Sequence, residues 1–153
     1  MPIRRPEKIV SGGQTGVDRA ALDVARELAI PHGGWCPKGR KAEDGPIAAD
    51  YLLTETPSAD YAVRTRKNVE DSDATLIVFL PPLEGGTELT YHKAVEFSKP
   101  VFLLDLSFLP NPKAIEKWLL ENHIETLNIA GPRESQRPGI YGKTRDLLLN
   151  YWR

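Results

Sequence analysis

An apolar run that enters a glycine-dense turn and leaves it as a helix constrains this chain more than any other stretch. Lys8-Ile9-Val10 reads as a strand, and Ser11-Gly12-Gly13-Gln14-Thr15-Gly16-Val17-Asp18 follows it directly. Ala21, Leu22, Ala25 and Leu28 then recur at helical spacing. Glycine lets the backbone take positive φ and come close to a ligand. The free N–H groups and the positive end of the following helix then face that ligand. A doubly wound α/β protein begins in this way, and an anionic, nucleotide-like ligand is the leading expectation. The spacing is neither G-x-G-x-x-G nor a Walker A loop, because no Gly-Lys-Ser/Thr follows.

The rest of the chain continues the alternation. Strands are expected at 8–12, 32–36, 51–55, 74–80, 101–106 and 126–130, and helices at 15–28, 61–72, 86–97, 113–122 and 141–152. Thr15 is the expected N-cap of the first helix, with Asp18 as the acid of a shortened capping box. The run 74–80 is continuously apolar, the mark of a strand buried on both faces. Such alternation implies a parallel sheet with right-handed crossovers and helices on both faces. Ligands of these sheets bind beyond the carboxyl ends of the strands, at a topological switch point.

The strand ends hold the candidate site residues. After the first strand come Gly12, Gly13, Gln14, Thr15 and Gly16. After the second come Lys38 and Arg40, with Lys41, where a dinucleotide site would carry an acid for the ribose. That exchange points away from NAD and towards phosphate or another anion, unless the basic run is only a solvated loop. After the strand 74–80, Gly85 and Gly86 form a second glycine turn, and Thr87 and Thr90 can add hydroxyls to its amides. The two turns are expected side by side. After the last strand come Gly131, Arg133, Glu134 and Ser135, where Arg133 can clamp a phosphate or form an exposed ion pair. The helix 61–72 is mostly polar, and Tyr61, Arg64, Thr65 and Asn68 share one face. That stripe either meets solvent or lines a site. Cys36 reads as a small buried apolar residue. No Ser-His-Asp arrangement, nucleophile elbow or metal-ligand spacing is visible, so no catalytic or metal residue is assigned.

Composition narrows the partners. The 153 residues suit one domain, 1–153. The formal net charge of −1 gives no global case for nucleic acid or an anionic membrane, and no apolar run is long enough to span a bilayer. One cysteine excludes an internal disulfide, and the N-terminus lacks the apolar stretch of a signal peptide. The expected location is therefore the cytoplasm.

From Ile9 to Tyr141 the sequence resembles the putative molybdenum carrier family, whose members include molybdenum cofactor carrier proteins. The resemblance rests on residues 11–23 and 34–45, Arg64-Thr65, Asn68-Val69, Ser72-Asp73-Ala74, Gly85-Gly86-Thr87 with Thr90, and residues 130–135. It implies a Rossmann-like sheet, a homo-oligomer, and a pocket for molybdenum cofactor (molybdopterin) or a molybdate-like anion. It also implies delivery to molybdoenzymes. The family resembles a broader group that includes phosphoribohydrolases acting on nucleoside monophosphates and nucleotide-sensing domains. Those remain the alternatives. The phosphoribohydrolases carry Pro-Gly-Gly-x-Gly-Thr at their second turn, whereas Glu84-Gly85-Gly86-Thr87 here has one glycine fewer before the threonine.

Overall fold

The apolar runs become parallel strands, and the amphipathic stretches between them become helices. A computed structural model describes residues 2–153; Met1, where the expected domain begins, lies outside the described residues. The elements run β1 (Lys8–Val10), α1 (Val17–Glu27), β2 (His32–Gly33), β3 (Trp35–Cys36), β4 (Thr54–Glu55), α2 (Tyr61–Glu70), β5 (Ala74–Phe79) and α3 (Gly85–Glu96). They continue with β6 (Val101–Asp105), α4 (Pro112–Glu121), β7 (Thr126–Ala130) and α5 (Ile140–Trp152). Five strands form one parallel sheet in the order β2-β1-β7-β5-β6, flanked by helices. β3 and β4 pair separately.

All six residues of β5 are buried, as a strand covered on both faces requires. Side chains alternate across the sheet. Leu76 and Val78 of β5, with Leu127 and Ile129 of β7, join the large core shared with α1, α4 and α5. Trp152, Leu148 and Ile140 anchor α5 in that core with no solvent exposure, and burial of each stabilises the fold by roughly 1.5–3 kcal/mol. The opposite face carries Thr75 and Asn128, joined by a 3.2 Å hydrogen bond from Asn128 Nδ2 to Thr75 Oγ1. α2 packs against α3.

Three local expectations need correction. The strand expected at 32–36 splits at Gly34, which has φ +123; a Cβ there would stand 2.3 Å from the Ser11 carbonyl oxygen. β2 therefore pairs with β1 and β3 with β4. Thr15 does not cap α1: the cap is Gly16, without a side-chain bond, and Thr15 Oγ1 donates to Glu43 instead. The two glycine turns are not side by side either. They follow β1 and β5, and β7 lies between those strands.

Candidate functional site

The carboxyl ends of β1, β7 and β5 open into one cleft, with α2 as its wall. Gly12, Gln14 and Asp18 line it from the first turn and α1, and Tyr61, Arg64, Thr65 and Asn68 line it from α2. Gly86, Thr87 and Thr90 line it from α3, Asn128 from β7, and Gly131, Arg133 and Gln136 from the loop after β7. The polar stripe of α2 thus faces the cleft, with Arg64, Thr65 and Asn68 buried. Asp60 caps this helix, accepting from the Ala62 amide at 2.9 Å.

Arg64 dominates the wall. It is only 8% exposed. Its Nη1 donates to the Gly12 carbonyl at 2.9 Å and its Nε to Thr65 Oγ1 at 3.3 Å. Its guanidinium sits 5.0 Å from the centre of the Tyr61 ring. Lys41 of the basic run reaches the same ring, with its Nζ 4.6 Å from the centroid. Among the described residues no carboxylate oxygen comes within 4.0 Å of Arg64. A buried cation without a carboxylate in contact is expensive, so this one is suited to an anion entering the cleft.

The two glycine turns differ. In the first, the Gly13 amide donates to Ser11 Oγ at 3.3 Å and the Gln14 amide to Asp18 Oδ2 at 3.3 Å. The Thr15 amide donates to Gln14 Oε1 at 3.0 Å and the Val17 amide to the Pro132 carbonyl at 3.2 Å. In the second turn, the Gly86 and Thr87 amides open α3, and no acceptor meets them among the described residues. These two amides border the cleft at the positive end of a twelve-residue helix. Thr90 Oγ1 donates back to the Gly86 carbonyl at 2.8 Å.

Asp18 lies opposite, 6% exposed. Burial pushes its carboxyl up to about 6, and the Arg64 charge and the Gln14 amide pull it down only in part. The carboxyl of Glu43 is held low despite its desolvation, because Ser135 and Thr15 hydrogen-bond to it and Arg133 lies beside it.

Several candidate residues serve elsewhere. Arg40 donates to the carbonyls of Ile47 at 2.8 Å, Ala48 at 2.7 Å and Tyr51 at 2.8 Å. Lys38 is exposed on the same loop. Neither lines the cleft. Gly13 faces Ile47 and Leu53, and Gly16 packs on the Pro132 carbonyl. Gly85 bends the chain into α3 with φ +56. Glu134 accepts from the Gly139 amide at 2.6 Å and the Tyr141 amide at 2.9 Å, so it holds the start of α5. Thr15 and Ser135 both donate to Glu43. Asn68 borders the cleft, but its amide exchanges bonds with Trp35, at 2.7 Å to the nitrogen and 2.9 Å to the carbonyl. Arg133 stands at the rim, half-exposed, with its Nε 3.4 Å from Glu43. Cys36 is buried with Ala42 and Ile47 beneath the 40–53 loop.

The cleft also contains residues the sequence reading did not assign: Asp18, Asn128 and Gln136. Asn128 had a visible signal, a lone polar side chain in the centre of an apolar strand. Asp18 had none, because an acid in a first helical turn is ordinary.

This arrangement has known relatives. Residues 9–152 match the family described as circularly permutated YpsA SLOG. The chain belongs to that family. Among solved structures, the crystal structure of a "putative molybdenum carrier protein" from Syntrophus aciditrophicus SB is 48% identical and superposes with a TM-score of 0.90. The match covers 94% of each chain. No curated protein matches the chain. The five-stranded parallel sheet is accordingly the Rossmann-like SLOG architecture.

Proposed function

We propose that this protein binds and carries molybdenum cofactor, a pterin phosphate bearing a molybdenum oxo centre, in the cleft between β1, β7 and β5. The observation that carries this reading is the open anion pole, formed by the Gly86 and Thr87 amides with the unpaired, buried Arg64. A phosphate or oxo group takes that pole. Gln14, Asn128 and Gln136 border the same space and can meet the edges of a heterocycle. Gly12, Asn68, Thr90, Gly131 and Arg133 also line it. The name of the solved relative supports molybdenum-related cargo. A cytoplasmic homo-oligomer that hands its cargo to molybdoenzymes is part of the same proposal.

The test is to mix the purified chain with molybdenum cofactor and follow binding and cofactor lifetime. Saturable binding with a lengthened lifetime and no product is expected. No binding, together with release of free base from a nucleoside monophosphate, would instead establish the phosphoribohydrolase-like activity.

A further inference from the structure

The cleft sets a buried carboxylate close to the cation that would hold an anionic ligand, and the balance of charge between them has a consequence. Asp18 and Arg64 both line the space and both are more than nine-tenths buried. Asp18 Oδ2 already accepts from the Gln14 amide at 3.3 Å. The other charges near it are committed. Arg19 of α1 is held by Asp44 at 3.0 Å and by the Gly13 carbonyl. Arg133 of the loop after β7 is paired with Glu43. From α2, Arg64 supplies the one buried positive charge bordering the cleft among the described residues. An oxyanion without a proton, set beside an ionised Asp18, would face one bare anionic oxygen with another, with no hydrogen-bond donor between them, in a desolvated site. Two such oxygens repel unless one proton lies between them.

We propose that Asp18 is the selectivity residue of this cleft, admitting an oxyanion only together with one proton, carried either on the anion or on the Asp18 carboxyl. The inference rests on the anion-binding reading above. The shared proton then forms an O–H···O⁻ bond between carboxyl and ligand, the strong, charge-assisted kind. Hydrogen phosphate brings its own proton. Sulfate and molybdate bring none near neutral pH and must wait for Asp18 to be protonated. A phosphomonoester loses its second proton near pH 6 and therefore behaves like sulfate above that pH. With the Asp18 carboxyl at about 6, about a tenth is protonated at pH 7 and about a hundredth at pH 8.

The test is calorimetric titration of the full chain with inorganic phosphate, sulfate, molybdate and a phosphomonoester. It is run between pH 5.5 and pH 8 in buffers of different ionisation enthalpy. Phosphate is expected to exceed sulfate and molybdate by about tenfold at pH 7 and about a hundredfold at pH 8, converging near pH 5.5. At pH 8, sulfate and the phosphomonoester should take up one proton on binding, and inorganic phosphate none. Asp18→Asn, with its fold checked by a melting curve, should bind sulfate as well as phosphate at pH 8. Equal binding of phosphate and sulfate to the unmodified chain at pH 8, without proton uptake, overturns the proposal while the anion-binding reading stands. Absence of binding by every anion at every pH overturns both. The proton count on the unmodified chain decides the matter even if the variant does not fold.

Discussion

Two glycine turns open two helices in this molecule, and they do opposite things. The turn after β1 is closed: four of its amides meet protein acceptors, and Gly16 lies against the Pro132 carbonyl. The turn after β5 is open, with empty space where a Cβ on Gly86 would stand and its amide unpartnered. Local sequence makes the first turn look like the better anion site. The difference shows that a glycine turn binds ligand only where the surrounding chain leaves its N–H groups unused. The first turn is a joint between β1, α1 and the loop after β7, and it brings Gly12, Gln14 and Asp18 to the cleft.

The strongest way to break this contrast is substitution at the closed turn. Gly16 has φ +78, and a Cβ there would stand 2.3 Å from the Pro132 carbonyl oxygen. Gly16→Ala should cost about 3–5 kcal/mol in urea unfolding. A loss under about 1 kcal/mol would mean that this joint is not tight. Next comes Asp18, whose folded value of about 6 stands above its ordinary 3.8. The folded state binds the extra proton between those values, so stability falls as pH rises from about 4 to 6 and the loss persists above. Two units correspond to ~3 kcal/mol. Asp18→Asn should therefore be more stable than the unmodified chain by up to ~3 kcal/mol at pH 8 and no different at pH 3.5. Urea melts at the two pH values check the sign.

Smaller effects probe the open side. Arg64→Gln removes the charged donor at the anion pole, worth ~2 kcal/mol, so phosphate affinity at pH 6.5 should fall about thirtyfold by calorimetry. Arg133→Ala should cost only a few-fold in the same titration, because its side chain is half-exposed and already paired with Glu43. The smallest effect carries the opposite sign from Gly16. Gly86 lies in a helix with open space around it, so Gly86→Ala should stabilise the fold by ~0.5–1 kcal/mol in urea. A loss there would show that the second turn is packed like the first.

The contrast also shows what local pattern can reveal. β5 was readable because burial on both faces leaves no room for polar residues. The stripe of Tyr61, Arg64, Thr65 and Asn68 was readable because helical spacing alone puts those residues on one face. The place of β7 between β1 and β5 was not readable, since strand order leaves no local trace. Arg40 was misleading because its acceptors are carbonyls of an irregular loop seven to eleven residues away, and nothing in the intervening residues marks them. Gly34 hid the break between β2 and β3, because a glycine inside a strand-like run does not announce a positive φ.

The most direct measurement is an amide-resolved NMR titration of the chain with inorganic phosphate. The account predicts that the Gly86 and Thr87 amide resonances, with the Arg64 side chain, shift and saturate together, while those of Gly13, Gln14 and Thr15 stay in place. Saturating shifts at Gly13, Gln14 and Thr15 with none at Gly86 and Thr87 would contradict it.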